Sequence, residues 1–227
     1  MAANNFPKRV TPKGVAIYPR LNTPDDKFNK AGQYKVKLAI DGDDEGLAKL
    51  REEVEALIDT KYDEVIAEIT ENLTKQGKKG LIKKTTEAVS KVSPFAAEED
   101  DETGEETGRV LINAKMTASG TGKKGPWTRK PAIFSASGKK LANPPMIGSG
   151  SVLKLNVELF PYYAANDKTV GVSFRLEAAQ VLTIVSGGAR DAAGYGFGAE
   201  DGDDIDDMDV GNDAPFDTSS DDEDDGL

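Results

Sequence analysis

Alternation of apolar and polar residues runs through most of the chain. Tyr34-Lys35-Val36-Lys37-Leu38-Ala39-Ile40 puts Tyr34, Val36, Leu38 and Ile40 on one face and Lys35 and Lys37 on the other. That period of two predicts a half-buried strand with a basic outer face. Val15-Ala16-Ile17-Tyr18 predicts a shorter strand stopped by Pro19. Further on, Arg109–Thr117 alternates with Val110, Ile112, Ala114 and Met116 inward, and Arg109 and Lys115 outward. Trp127–Ser135 predicts a strand broken at Pro131, and Val152–Phe160 and Val170–Leu176 two more. Gln180–Val185 continues the last of these or forms a sixth. Gly120–Gly125 and Ser137-Gly138-Lys139-Lys140 have the composition of turns.

One segment changes period. Leu47, Leu50, Val54, Leu57 and Ile58, then Val65, Ile66, Ile69 and Leu73, fall at helical spacing with no Pro or Gly from Leu47 to Gln76. This predicts one long amphipathic helix ending at Gly77, frayed near Thr60, with acids in Asp41-Gly42-Asp43-Asp44 available to cap it. Residues 75–93 are Lys-rich, and residues 96–108, acidic and rich in Gly and Thr, are expected to be a solvated loop.

Strands that resume after a single helix give an α+β order, against a parallel βαβαβ fold. The expected fold is mostly β: a five- to six-stranded antiparallel barrel of OB-fold type with one long inserted α-helix. Residues 1–188 are expected to form that domain. Residues 189–227 are expected to be a flexible linker and a disordered acidic tail, since they carry too little apolar surface to offset ordering entropy.

Charge sharpens this division. The chain has 227 residues with 29 Lys+Arg and 40 Asp+Glu, a net charge of −11. Residues 199–227 hold fourteen acids and no base, leaving 26 acids against 29 bases and a net of +3 before them. A second cluster, Glu98 to Glu106, holds seven acids; outside both clusters the net is +10. A basic body carries an acidic tail.

The chain contains no Cys and no His, which excludes thiol nucleophiles, disulfides, Ser–His triads and the usual zinc sites. Gly120-Thr121-Gly122-Lys123-Lys124-Gly125 lacks the spacing of a phosphate-binding P-loop. Gly148-Ser149-Gly150-Ser151 lacks the third Gly and the helix of a dinucleotide site. The run from Asp201 lacks Gly at the sixth position of a calcium loop and has Asn212 at the twelfth. No catalytic residue, metal ligand or cofactor is expected, and no enzymatic activity. No apolar run approaches a membrane span. Met1–Val10 lacks the apolar core of a leader peptide, so a soluble, intracellular protein is expected.

The basic outer faces suggest a ligand. Lys35 and Lys37 share one strand face, Arg109 and Lys115 another, and Lys154 and Arg175 lie on later strands. Lys123-Lys124 and Arg129-Lys130 bracket Trp127, and Phe160-Pro161-Tyr162-Tyr163 sets aromatic rings where Pro161 is expected to end a strand. One of Tyr162 and Tyr163 is expected to pack inward and the other to face out. Cations that neutralise phosphates, interleaved with rings that stack on bases, are the requirements for holding single-stranded nucleic acid. A tethered polyanion would compete with nucleic acid for such a surface.

Several stretches resemble a known family. They are Pro145-Met146-Ile147-Gly148-Ser149-Gly150-Ser151, Leu153-Lys154-Leu155-Asn156-Val157, Leu159-Phe160-Pro161-Tyr162 and Val170–Leu176, with Gln33–Leu38 as an earlier strand. They are similar to the replicative single-stranded DNA-binding proteins of the short-tailed T-odd phages. The resemblance implies an OB-fold that binds single-stranded DNA without sequence preference, in replication, recombination and repair. It implies strand annealing, the capacity to dimerise, and the cytoplasm of the infected bacterial host as the setting. It further implies an acidic tail that contacts the phage DNA polymerase and helicase–primase. Tyr162 falls at the family's base-stacking tyrosine. The DNA-contacting set is then Tyr162, Trp127, Lys35, Lys37, Lys115, Arg129, Lys130, Lys154 and Arg175. The partner-binding set is Phe216, Asp221, Asp222, Glu223, Asp224, Asp225 and Leu227. The family example ends in Phe, whereas this chain ends in Leu227 with Phe216 inside the tail; either Leu227 takes the apolar anchor role, or Phe216 does, or partner recognition differs. The alternative is an acidic protein-interaction or chaperone-like protein that binds basic partners and no nucleic acid.

Overall fold

The computed structural model describes residues 6–27 and 30–185. The chain divides into two units, Met1–Gly188 and Ala189–Leu227. The second lies wholly outside the described residues, as do the expected linker and disordered tail.

Eleven strands and two α-helices make up the described body. They are β1 (Lys8–Val10), β2 (Gly14–Asp25), β3 (Gln33–Asp41), α1 (Glu45–Lys75), α2 (Ile82–Thr86), β4 (Ser90–Val92), β5 (Ala96–Glu99) and β6 (Glu106–Thr117). There follow β7 (Ser119–Gly122), β8 (Gly125–Thr128), β9 (Ala132–Phe134), β10 (Val152–Ala164) and β11 (Thr169–Thr183). Five strands close a ring in the order β2-β3-β6-β11-β10, with β10 returning to β2 at Val152 and Leu153. Numbered along the chain, that is 1-2-3-5-4-1, the Greek-key barrel of an OB-fold. Four of the ring pairings are antiparallel, while β6 and β11 run parallel through Phe174↔Ala114 and Arg175↔Lys115.

The inward residues of the alternating strands fill the ring. Leu38, Ile40, Ile112, Leu153, Leu155, Leu159 and Leu176 are fully buried, each contributing about 2 kcal/mol relative to an exposed side chain. Helix α1 is inserted between the second and third ring strands and packs on β10 and β11. It buries Leu47, Leu50, Val54, Ile58 and Val65. The Asp44 carboxylate accepts from the Gly46 and Leu47 amides at 2.8 and 3.2 Å, a cap that stabilises by roughly 1 kcal/mol. Arg9 clamps α1 to the barrel through both carboxylate oxygens of Glu53, at 2.7 and 2.6 Å.

Several expectations need correction. The helix runs unbroken through Thr60, whose hydroxyl donates to the Ala56 carbonyl at 2.9 Å. The acidic stretch 96–108 is largely paired: β5 lies antiparallel on β6 and only the segment between Glu99 and Glu106 is a turn. The turn expected at Gly120–Gly125 lies at Lys123-Lys124, with its flanks paired as a hairpin of β7 and β8. Pro19 does not stop β2, which continues to Asp25 through a bulge between Ile17 and Arg20. Nor does Pro161 end β10; it pairs with Val172, and the strand reaches Ala164. Among the described residues no ladder lies on this strand's other side beyond Leu159, and an edge tolerates a residue without an N–H.

Candidate functional site

Four ring strands build a cleft of about 560 Å³ on the outer face of the barrel. Gln33 enters from β3, Asn113, Lys115 and Thr117 from β6, Ser173 and Arg175 from β11, and Tyr162 from β10. Arg129 and Pro94 come from connecting segments. Phe174 is buried among the lining residues, with its ring edge-on to Phe95 at 5.7 Å between centroids.

Strand register sets the charges side by side. Arg175 lies beside Lys115 across the parallel pair, and Lys115 lies opposite Lys35 across β3–β6. Like charges facing one another on a sheet repel unless an anion lies between them. The two ends of this row have one: Arg175 pairs with Glu158 at 3.4 Å, and Lys35 with Asp25 at 2.6 Å. The Lys35 ammonium and the Lys27 amide hydrogen bond to the Asp25 carboxyl and hold its pKa below the ordinary value. Lys115, in the middle, has no ion pair or side-chain hydrogen bond among the described residues.

Aromatic groups edge the cleft. The Arg175 guanidinium lies 3.2 Å above the Phe160 ring centroid, a stack that fixes the fork's orientation. Tyr162 pairs with Gly171 on β11, and its ring crosses that glycine so closely that a Cβ there would be 2.8 Å from the phenol oxygen. Tyr163 packs against the core instead. Arg129 donates to the Thr117 carbonyl at 2.8 Å and lies 5.2 Å from the Trp127 ring centroid. Trp127 is 39% exposed and covers Gly120, where a Cβ would come within 2.5 Å of the indole.

The structure thus brings Tyr162, Lys115, Arg129 and Arg175 to one cleft, with Trp127 joined to it through Arg129. Lys35 and Lys37 share the sheet face without lining the cleft; Lys37 lies opposite Asn113. Lys130 turns the other way and lines a separate depression with Lys140, of about 620 Å³. Lys154 lines a third with Asn156 and Gln180. Phe216, Asp221, Asp222, Glu223, Asp224, Asp225 and Leu227 lie outside the described residues. Sequence reasoning missed Gln33, Asn113, Thr117 and Ser173, although each sits at an outward position of an alternating strand. Pro94 gives no such signal.

A closed five-stranded ring with a cationic, aromatic-edged cleft on its wall defines an OB-fold protein. Comparison with known proteins supplies the family. The chain belongs to the family described as single-stranded DNA-binding protein, bacteriophage T7, whose model matches residues 14–185. The crystal structure of gp2.5, a single-stranded DNA-binding protein encoded by bacteriophage T7, is similar in fold. It covers 85% of this chain and 97% of that one, at 24% identity and a TM-score of 0.63. A single-stranded DNA-binding protein from bacteriophage Enc34, in complex with ssDNA, covers 79% and 88% at 13% identity and a TM-score of 0.43. No curated protein matches the chain.

Proposed function

We propose that this protein binds single-stranded DNA without sequence preference and without catalysis, using the cleft between β6, β11 and β10. The observation that carries the reading is Lys115. Among the described residues it is a cation without a counter-ion, set between Arg175 and Lys35 in a cleft edged by Tyr162. A phosphate at Lys115 relieves the repulsion along that row. Bases beside it stack on Tyr162 and Trp127, each stack being worth about 1–3 kcal/mol regardless of base. Lys115, Arg129 and Arg175 hold the backbone in the cleft, and Lys37 and Lys35 continue along the same face. Lys130 and Lys154 touch the strand only where it extends beyond the cleft.

Membership of the phage family supports a wider role. In that role the protein coats single strands during phage replication, recombination and repair in the host cytoplasm, and promotes annealing. It recruits the phage polymerase and helicase–primase through Phe216, Asp221, Asp222, Glu223, Asp224, Asp225 and Leu227, and it is able to dimerise. Fluorescence anisotropy with labelled oligo(dT) tests the core of the reading. The full chain is expected to bind, and Tyr162→Ala to bind about tenfold more weakly. No binding at low salt would contradict it.

A further inference from the structure

Tyr18 stands out on the far side of the same sheet face. It is 78% exposed, and its φ of +46° is the left-handed conformation that aromatic residues rarely adopt. Pro19 follows it, and a residue before proline is biased toward extended backbone, which adds to the strain. A surface tyrosine gains nothing in packing from this arrangement. Strain of this kind persists only where the surrounding structure imposes it, and it clusters at ligand-holding positions.

The imposing contacts are visible. The Tyr18 amide donates to the Ser149 hydroxyl at 2.9 Å. Two residues earlier, the Ala16 amide donates to the Ser151 carbonyl at 2.8 Å and the Gly150 amide to the Ala16 carbonyl at 2.9 Å. The loop before β10 therefore grips β2 and pushes Tyr18 and Pro19 out as a bulge. The residues flanking the bulge are in register with cations: Ile17 lies opposite Lys37, and Arg20 opposite Lys35. The ring is thus presented at the border of the row formed by Arg20, Lys35, Lys115 and Arg175.

We infer that Tyr18 is a second base-stacking platform, and that a single strand leaving the Tyr162 cleft crosses Lys115 and Lys35 to reach it. This rests on the proposed binding of single-stranded DNA in the cleft. From β10 to β2 the path crosses four inter-strand spacings, about 19 Å of sheet surface at roughly 4.8 Å each. An oligonucleotide confined to the cleft does not reach Tyr18, and a longer one does.

The test compares oligo(dT) of about 4 and about 16 nucleotides, the ends of the range one OB-fold occupies, on the full chain and three variants. Tyr18→Ala is expected to weaken the longer ligand about tenfold and leave the shorter one unchanged. Tyr18→Phe, which keeps the ring, is expected to bind like the parent. Tyr18→Gly removes the ring and relieves the backbone, so its melting temperature should rise while its affinity for the longer ligand falls. Oligonucleotides carrying 5-iododeoxyuridine should photocrosslink to Tyr18. If the parent binds both ligands but Tyr18→Ala matches it on the longer one, the second platform is wrong and the cleft stands. If the parent binds neither, both are wrong.

Discussion

Tyr162 and Gly171 face each other across β10 and β11, and the tyrosine ring occupies the space a side chain at 171 would need. A Cβ at Gly171 would lie 2.8 Å from the phenol oxygen and 2.9 Å from Cζ. What it would meet is the far end of a movable side chain, not backbone. Gly171→Ala is therefore expected to swing the ring aside with a change in stability below about 1 kcal/mol. Its affinity for oligo(dT) should fall nearly as far as that of Tyr162→Ala. Thermal melting alongside anisotropy checks both halves, and a variant with unchanged affinity would take Tyr162 out of the interface.

Asp25 holds the Lys35 ammonium in an ion pair at 2.6 Å. Asp25→Asn leaves the ammonium free on the face shared with Lys115 and should tighten oligo(dT) binding, most at low salt. The pH dependence has a definite sign. The folded pKa lies below the ordinary 3.8, so the stability this contact contributes is present above that value. It is lost as pH falls through the lowered one. The stabilities of the parent and Asp25→Asn, read by urea denaturation followed by circular dichroism across pH, should differ above 3.8 and converge below the lowered value. Identical DNA affinity for the two would show that Lys35 does not meet the backbone.

Gly120 supports Trp127 as Gly171 supports Tyr162. A Cβ at Gly120 would come within 2.5 Å of Cζ2, so Gly120→Ala must move the indole away from Arg129. Intrinsic emission of the free protein should change, and quenching by oligo(dT) should weaken. Trp127→Phe should abolish the quench while retaining part of the affinity. A quench that survives Trp127→Phe would arise elsewhere.

Stability and binding should separate in the helix. Leu47 is fully buried, on α1 rather than on the cleft. Leu47→Ala should cost about 2–5 kcal/mol, read by urea denaturation, with oligo(dT) affinity unchanged below the unfolding transition.

The barrel was legible where burial follows a local period. Residues 34–40, 109–117 and 170–176 alternate because one face meets the core. Helix α1 shows in Leu47, Leu50, Val54 and Ile58 for the same reason. Strand β5 was not legible: Ala96–Glu99 is acidic and mostly exposed, and it is a strand because β6 offers it a partner. The continuation through Pro161 likewise depends on which side of β10 is unpaired. For the site, the sequence supplied residue types and outward faces but not their neighbours. Lys115 meets Arg175 through a parallel register between strands some sixty positions apart, which no local period encodes. Lys130 and Lys154 had the right chemistry, yet they line other depressions.

The most direct test of the cleft is the salt dependence of oligo(dT) affinity for the full chain and for Lys115→Ala with Arg175→Ala. Each phosphate neutralised adds roughly 0.7 to the slope of log affinity against log salt on a single strand. Removing two contacts should flatten the slope by about 1.4 and weaken binding most at low salt. An unchanged slope, with the double variant folded and binding like the parent, would contradict a cleft that holds single-stranded DNA through these cations.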